Sequence, residues 1–394
     1  MSEQPHAIGA LLRESGPAHK IVAPDGSAAW LVTRYEDVAL LLADPRLSLS
    51  KQNAKPDGGY RGFELPPALD ANLLNMDPPQ HTRLRRLAGP AFGSRHVAQM
   101  RPALEKAAHR LADDMAAAGD VDLVTDFATP FSVLVISELL GVPEESRHRF
   151  RAWTTGLLGT GATREGMREI VGEMLRFFTG LIADKRTAPG TDVLSALVAA
   201  RDADDDRLTE DELTSLAFLL LFAGFENSAN LMASCLHAVL ADPELRRSVH
   251  PTGATAASPD ATAALVEEVA RHESPALLAI RRFPVEDIDV GGVTVPAGET
   301  VLLSLASANR DPRRFAAPDA VDPARPDLAR HLSFGQGIHY CIGAPLARLE
   351  AQIALGVFLD RFPNARLDPG TPPRWQPSPR VRGLASLRAR VDGR

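Results

Sequence analysis

The chain has 394 residues, 45 % of them apolar and 24 % charged, with a formal net charge of −7. That composition is ordinary for a globular protein in water, and its acidic balance excludes the basic stripe of a nucleic-acid binder. Two cysteines, Cys235 and Cys341, exclude a disulfide framework and point to a reducing cytoplasm.

The first 17 residues lack a basic-then-apolar leader pattern. Apolar residues at the helical period then predict helices over 34–42, 81–87, 99–118, 127–140, 144–158 and 163–188. Pro45 ends the first of these, and Asp77-Pro78-Pro79 opens the second. Residues 201–212 are acidic and read as a solvated turn. A long helix follows over 209–240, apolar all round in its middle and therefore expected to run through the core. Its longest apolar run, 216–225, is about half a membrane span, so no anchor is expected. Ala241-Asp242-Pro243 closes it, and another helix is expected over 261–273.

Strand signals come next. Residues 287–290 and 293–295 flank Gly291-Gly292, a hairpin pattern, and 301–305 forms a further strand candidate. Residues 309–333 are Pro-, Asp- and Arg-rich without periodicity, as expected of a functional or tightly pinned stretch. A helix over 346–359 and a small hairpin in the Pro-rich tail complete the chain. There is no repeat or low-complexity linker, so one domain over 1–394 is expected, mainly α with small β-sheets.

The most informative segment is Ser333-Phe334-Gly335-Gln336-Gly337-Ile338-His339-Tyr340-Cys341-Ile342-Gly343, followed by Ala344-Pro345. Glycines at 335, 337 and 343 permit tight turns and close approach to a flat ligand. Pro345 suits the first turn of a helix. The partial positive charge at such a helix start lowers a thiol pKa and favours thiolate at Cys341. A zinc site would need further Cys or His nearby, and no motif supplies the base of a cysteine nucleophile.

The pattern Phe334-Gly335-x-Gly337-x-His339-x-Cys341-x-Gly343 resembles the cysteine-loop signature of the cytochrome P450 family. The resemblance implies a haem b cofactor buried between the long distal helix and the cysteine-loop helix, with Cys341 as axial iron ligand. Thiolate pushes electron density onto iron and favours O–O cleavage. It further implies that Glu268 and Arg271, an E-x-x-R pair on one helix face, form a structural network with Arg325. His81, Arg85, Arg282 and His339 are then the propionate-binding set, with Phe334, Gly335 and Gly343 shaping the cofactor loop.

Ala223-Gly224-Phe225-Glu226-Asn227-Ser228 is similar to the family's oxygen-activation motif, with one departure. Glu226 matches the acid, but Asn227 stands where threonine is usual, and Ser228 lies roughly 100° further round the helix. An amide holds water differently from an alcohol, so oxidative coupling or desaturation without oxygen insertion is an alternative to hydroxylation or epoxidation. A non-catalytic haem sensor is a third reading, which leaves Glu226 unexplained. The resemblance places the substrate pocket loosely at 50–75, 150–185, Phe222, Ala223 and Leu277, Leu278, Ala279 and Ile280. It implies a largely lipophilic natural-product intermediate (a polyketide, macrolide, terpenoid or peptide) as substrate and O2 as oxidant. No reductase module is present, so a ferredoxin and an NAD(P)H-dependent ferredoxin reductase are expected as partners. Arg83, Arg86 and Arg348 are candidates to receive the ferredoxin. A cytoplasmic monomer is expected, without nucleic acid or membrane anchor.

Overall fold

The computed structural model describes residues 4–23, 26–55, 67–149, 152–153, 164–202 and 208–392. Its centre is the helix Glu210–Ala241, about 48 Å long at 1.5 Å per residue. The sequence starts it with a reciprocal cap: Glu212 N–H donates to Thr209 Oγ1 (3.1 Å), and Thr209 N–H donates to Glu212 Oε2 (2.8 Å). The helix is apolar enough to cross a bilayer by composition, yet it lies inside the molecule. Helices Thr129–Leu139, Arg164–Thr187, Pro259–His272 and Ala344–Arg361 pack around it, and Ser94–Ala118 packs behind Ala344–Arg361. One continuous apolar core results, with Phe127, Phe131, Phe178 and Phe358 fully buried.

The sheets are small and sit to one side. Ala18–Val22 pairs antiparallel with Ala28–Val32, which pairs parallel with Val301–Leu303. The hairpin Ile288–Val290/Val293–Val295 turns on Gly291 (φ 59°) and Gly292 (φ 89°), the left-handed pair that a two-residue hairpin turn requires.

Four expectations change. The helix Pro5–Ser15 and the first two strands were not anticipated, because five-residue strands with mixed burial give little periodicity. Val193–Asp202 is helical, running into the stretch read as a turn. Pro243 opens a helix rather than only closing one: Asp242 Oδ1 accepts the N–H groups of Glu244 (2.8 Å) and Leu245 (3.1 Å) and caps Pro243–Val249. Of the helix expected over 144–158, Glu144–Ser146 forms a tight 3-10 turn, while 147–149 and 152–153 are helical as expected. Residues 154–163, with most of 50–66 in the expected pocket wall and 203–207 of the acidic stretch, lie outside the described residues.

Candidate active site

A cavity opens between the middle of the central helix and the start of Ala344–Arg361, enclosing about 1250 Å³ with its mouth included. Leu73, Leu74, Phe92, Ile136, Leu139, Leu219, Leu220 and Leu231 make most of its wall apolar. Cys341 lies at one side of it, and Ala223, Gly224, Asn227 and Ser228 line the other.

The cysteine loop is held by its own backbone. Cys341 N–H donates to Phe334 O (2.8 Å), and Gly335 N–H donates to Leu332 O (2.8 Å). Gly335 (φ 73°) and Gly337 (φ 75°) adopt the left-handed conformation that these turns need. The close approach at Gly337 is to protein: a Cβ there would lie 3.1 Å from Ala43 Cα, so the loop packs against the helix Tyr35–Ala43. Gly343 precedes the first turn of Ala344–Arg361, and the N–H groups of Gly343 and Ala344 donate to the Cys341 sulfur.

Cys341 is exposed to the cavity yet lies deep within the protein. Burial pushes its thiol above the ordinary value, and the two backbone N–H donors with Arg85 and Arg348 only partly oppose it. The helix start thus favours thiolate at Cys341 through these N–H donors, and burial works against it.

Beneath the loop, the structure brings Glu268, Arg271 and Arg325 together in a fully buried cluster. Arg271 donates to Glu268 through Nη2 (2.7 Å) and Nε (2.8 Å). Its remaining donors reach the carbonyls of Asn309 (2.9 Å), Pro318 (2.8 Å) and Ala320 (3.0 Å). Arg325 Nε lies 3.3 Å from both Glu268 oxygens, and its Nη1 donates to Ala316 O (2.6 Å). The irregular stretch before the cysteine loop is thus tied down by its carbonyls. Asn309 completes the clamp, accepting Leu332 N–H (2.7 Å) and donating to the hydroxyls of Ser274 and Ser333 (2.8 Å each). Ser333 in turn donates to Ala270 O (2.6 Å).

His81, Arg85 and His339 meet at the cavity edge, the two imidazole centroids 4.1 Å apart, with Arg282 buried close by. Burial and the neighbouring charges of His81, Arg282 and Arg85 drive the His339 pKa down to about 3. Burial likewise lowers Arg282 to about 10, against the pull of Asp77 and Asp44. Neither nitrogen of His81, nor Nε of Arg282, has a hydrogen-bond partner among the described residues, although all three are buried. Such a cluster lacks only anions.

On the distal side, Gly224 lets two helices touch: a Cβ there would lie 2.7 Å from Ile136 Cδ1. Asn227 faces the cavity with its Oδ1 buried and unpartnered. Glu226 does not line the cavity; burial raises its pKa and Arg380 opposes this. The segment after E-x-x-R is placed differently from expectation. Pro275 and Ala276 line the cavity, whereas Leu277 and Leu278 line a separate crevice under the N-terminal helix. Ala279 is tied to Leu303 O (2.9 Å) at the sheet edge, Ile280 is exposed, and Phe222 stacks on Phe218 at 5.7 Å. Edge pairing to the sheet turns these residues away.

Arg348 is committed inward, bonded to Glu267 (2.5 and 2.9 Å) and to the Tyr340 hydroxyl (3.0 Å) and stacked over Phe334 at 4.4 Å. Arg83 donates to Glu212. Apart from apolar wall residues, one acidic cavity residue escaped the sequence reading. Glu350, on the helix that follows Cys341, is fully buried, accepts a hydrogen bond from Ser228 and leaves Oε2 unpartnered. Burial pushes its carboxyl up to about 8. The available signal was a lone carboxylate on the apolar face of residues 346–359.

The model of the family described as Cytochrome P450 matches residues 163–384. Cytochrome P450 monooxygenase PikC of Streptomyces venezuelae is 43 % identical over 97 % of this chain and 90 % of its own. The chain belongs to the cytochrome P450 family. The mycinamicin IV hydroxylase/epoxidase of Micromonospora griseorubida is 41 % identical over 95 % of this chain and 93 % of its own. Among solved structures, the bacillaene polyketide synthase cytochrome P450 PksS of Bacillus subtilis 168 superposes with a TM-score of 0.88 at 33 % identity, covering 99 % and 97 % of the two chains.

The protein is thus a cytochrome P450 monooxygenase with a haem-thiolate cofactor. The residues present fit that group: a cysteine open to the cavity, and a rim of two arginines and two imidazoles in which His81 Nδ1 and Nε2 and Arg282 Nε have no partner among the described residues. When bound, the haem supplies oxygen activation, with thiolate pushing electron density toward iron.

Proposed function

We propose that this P450 hydroxylates or epoxidises a largely apolar polyketide- or macrolide-type intermediate, using O2 and electrons from a ferredoxin and an NAD(P)H-dependent ferredoxin reductase. The observation that carries this reading is the cavity wall on the central helix, where Leu219, Leu220 and Leu231 leave Asn227 and Ser228 as the polar side chains. Such a lining binds a lipophilic ligand and leaves orientation to the few polar atoms. The names of the two relatives aligned above agree in class.

In this reading Cys341 holds the iron of haem b, and His81, Arg85, Arg282 and His339 pair with its propionates. The Glu268–Arg271–Arg325 cluster fixes the loop that holds the sulfur. Ser228 and Glu350 hold a proton at the cavity, since a carboxyl pushed up to about 8 stays largely protonated at neutral pH. Exposed Ile338 and Tyr340 on the cysteine loop give the ferredoxin an apolar contact. The protein acts in the cytoplasm as a single-domain monomer.

The test is a panel of macrolactones and linear polyketides screened for the optical shift of the haem, followed by turnover under labelled O2. Label in the product supports oxygen insertion. A second reading, coupling or desaturation, is favoured by Asn227 in the usual threonine position with its Oδ1 unpartnered. Product without label selects it.

A further inference from the structure

Three of the buried side-chain atoms without a partner among the described residues lie on one stripe of the central helix: Asn227 Oδ1, Asn230 Nδ2 and Ser234 Oγ. Spacings of three and four residues stack them on one face, each roughly 5–6 Å from the next, within reach of one bridging water. Asn227 lines the cavity, while Asn230 is 4 % and Ser234 2 % exposed.

The stripe is built rather than incidental. Buried helical hydroxyls elsewhere in this chain find a protein partner, as Ser137 does on Val133 O (2.7 Å), Thr262 on Ser258 O (2.7 Å) and Ser132 on Phe225 O (3.0 Å). Ser234 does not. Gly383 makes room for the Asn230 amide: a Cβ at 383 would lie 2.0 Å from Asn230 Oδ1. The next residue on the same face, His237, is half-buried against Trp375 at 6.1 Å. Arg382 covers the other reach of that indole and bonds Glu273 (2.7 Å), both side chains retaining some solvent exposure. From Asn227 to His237 the stripe spans about 15 Å.

We propose that Asn227, Asn230 and Ser234 form a hydrated polar column that carries protons from the His237–Glu273–Arg382 cluster to the cavity. Buried polar groups without a protein partner recruit water, and a water file between amide and hydroxyl groups passes a proton by successive exchange. Each water accepts one proton and releases another, so one proton enters the cavity and no side chain changes charge. The proposal rests on the cavity being the site of oxygen chemistry. It supplies a proton entry distinct from the Ser228–Glu350 pair.

The experiment uses the haem-loaded protein and two variants, Ser234→Val, which seals the column, and Ser234→Ala, which removes only the hydroxyl. A high-resolution crystal structure of the wild type should show ordered waters bridging Asn227, Asn230 and Ser234, and the Val variant should lose them. With a macrolactone as probe, product per NAD(P)H consumed should fall by about tenfold in Ser234→Val, less than the roughly hundredfold of losing a positioned donor outright. The solvent isotope effect should rise, and the probe's optical shift should be unchanged. A dry column in the wild type overturns the proposal, as does unchanged coupling and isotope effect in both variants. A wild type that oxidises no macrolactone instead overturns the substrate reading and leaves the crystallographic arm deciding the column.

Discussion

The two sides of the cavity handle buried polarity in opposite ways. On the cysteine-loop side, all five N–H donors of Arg271 are used, and Glu268 accepts from Arg271, from Arg325 and from Asp322 N–H (2.9 Å). On the central-helix side, Asn227 Oδ1, Asn230 Nδ2 and Ser234 Oγ are buried without a partner among the described residues, as is Oε2 of Glu350, which meets Ser228 from the helix Ala344–Arg361. A fully satisfied network rigidifies, whereas an unsatisfied group reserves its bond for water or ligand. One side is therefore scaffold for the ligand loop, and the other is kept open for chemistry.

The strongest way to break this comparison is to remove the sulfur. Cys341→Ala should abolish the thiolate-type Soret band of the reduced, carbon-monoxide-treated protein and all monooxygenase turnover. The far-ultraviolet circular dichroism should stay native, because the side chain faces the cavity and carries no core packing. Next in size is Arg271→Met. It leaves the Asn309 and Pro318 carbonyls without a donor and the buried Glu268 carboxylate with only Arg325 and Asp322 N–H, and should cost about 3–5 kcal/mol in urea denaturation. A cost under about 1 kcal/mol, in the range of exposed pairs, would mean the cluster is not the scaffold described here.

The same contrast governs what was legible in the sequence. The cysteine loop and E-x-x-R could be read because each has a fixed local spacing, and the third arginine because it sits in the irregular stretch between them. The long helix was legible from its apolar circumference and its Thr209 cap. Glu350 was not: its one local signal, a lone carboxylate in an apolar run, does not name a partner, and Ser228 lies 122 positions earlier in the sequence. Leu277, Leu278, Ala279 and Ile280 were misplaced for a related reason. Their direction is set by pairing to Ser304 and Leu303 at the sheet edge, and that sheet begins with two strands too short to announce themselves. Local chemistry was readable, and long-range direction was not.

Glu350→Gln sharpens the comparison from the distal side. The folded-state carboxyl titrates near 8 against an ordinary 4.5, so the native state holds this proton while the unfolded chain has released it. Its contribution to stability is complete below about pH 4.5 and is lost as pH rises toward 8. Glutamine carries no such proton. The variant should match wild type in urea midpoint at pH 5 and exceed it at pH 8, with the gap widening monotonically between. A gap of the opposite sign would place a cation beside Glu350.

The smallest effect tests where the two sides join. The Thr209–Glu212 cap starts the central helix, and Glu212 also receives Arg83, which lies on the helix Gln80–Ala88 with His81 and Arg85. The cap is solvent-exposed, so Thr209→Ala should cost about 1 kcal/mol, the usual value for losing a hydroxyl cap. It should leave haem content and product per NAD(P)H unchanged, because Glu212 keeps its bond to Arg83 without the threonine. Glu212→Ala removes both bonds and loosens the helix that carries His81 and Arg85, two of the four rim donors. It should therefore lower haem retention during dialysis where Thr209→Ala does not. Equal retention in the two variants would show that the rim donors are held without this link, and that it adds nothing to cofactor binding.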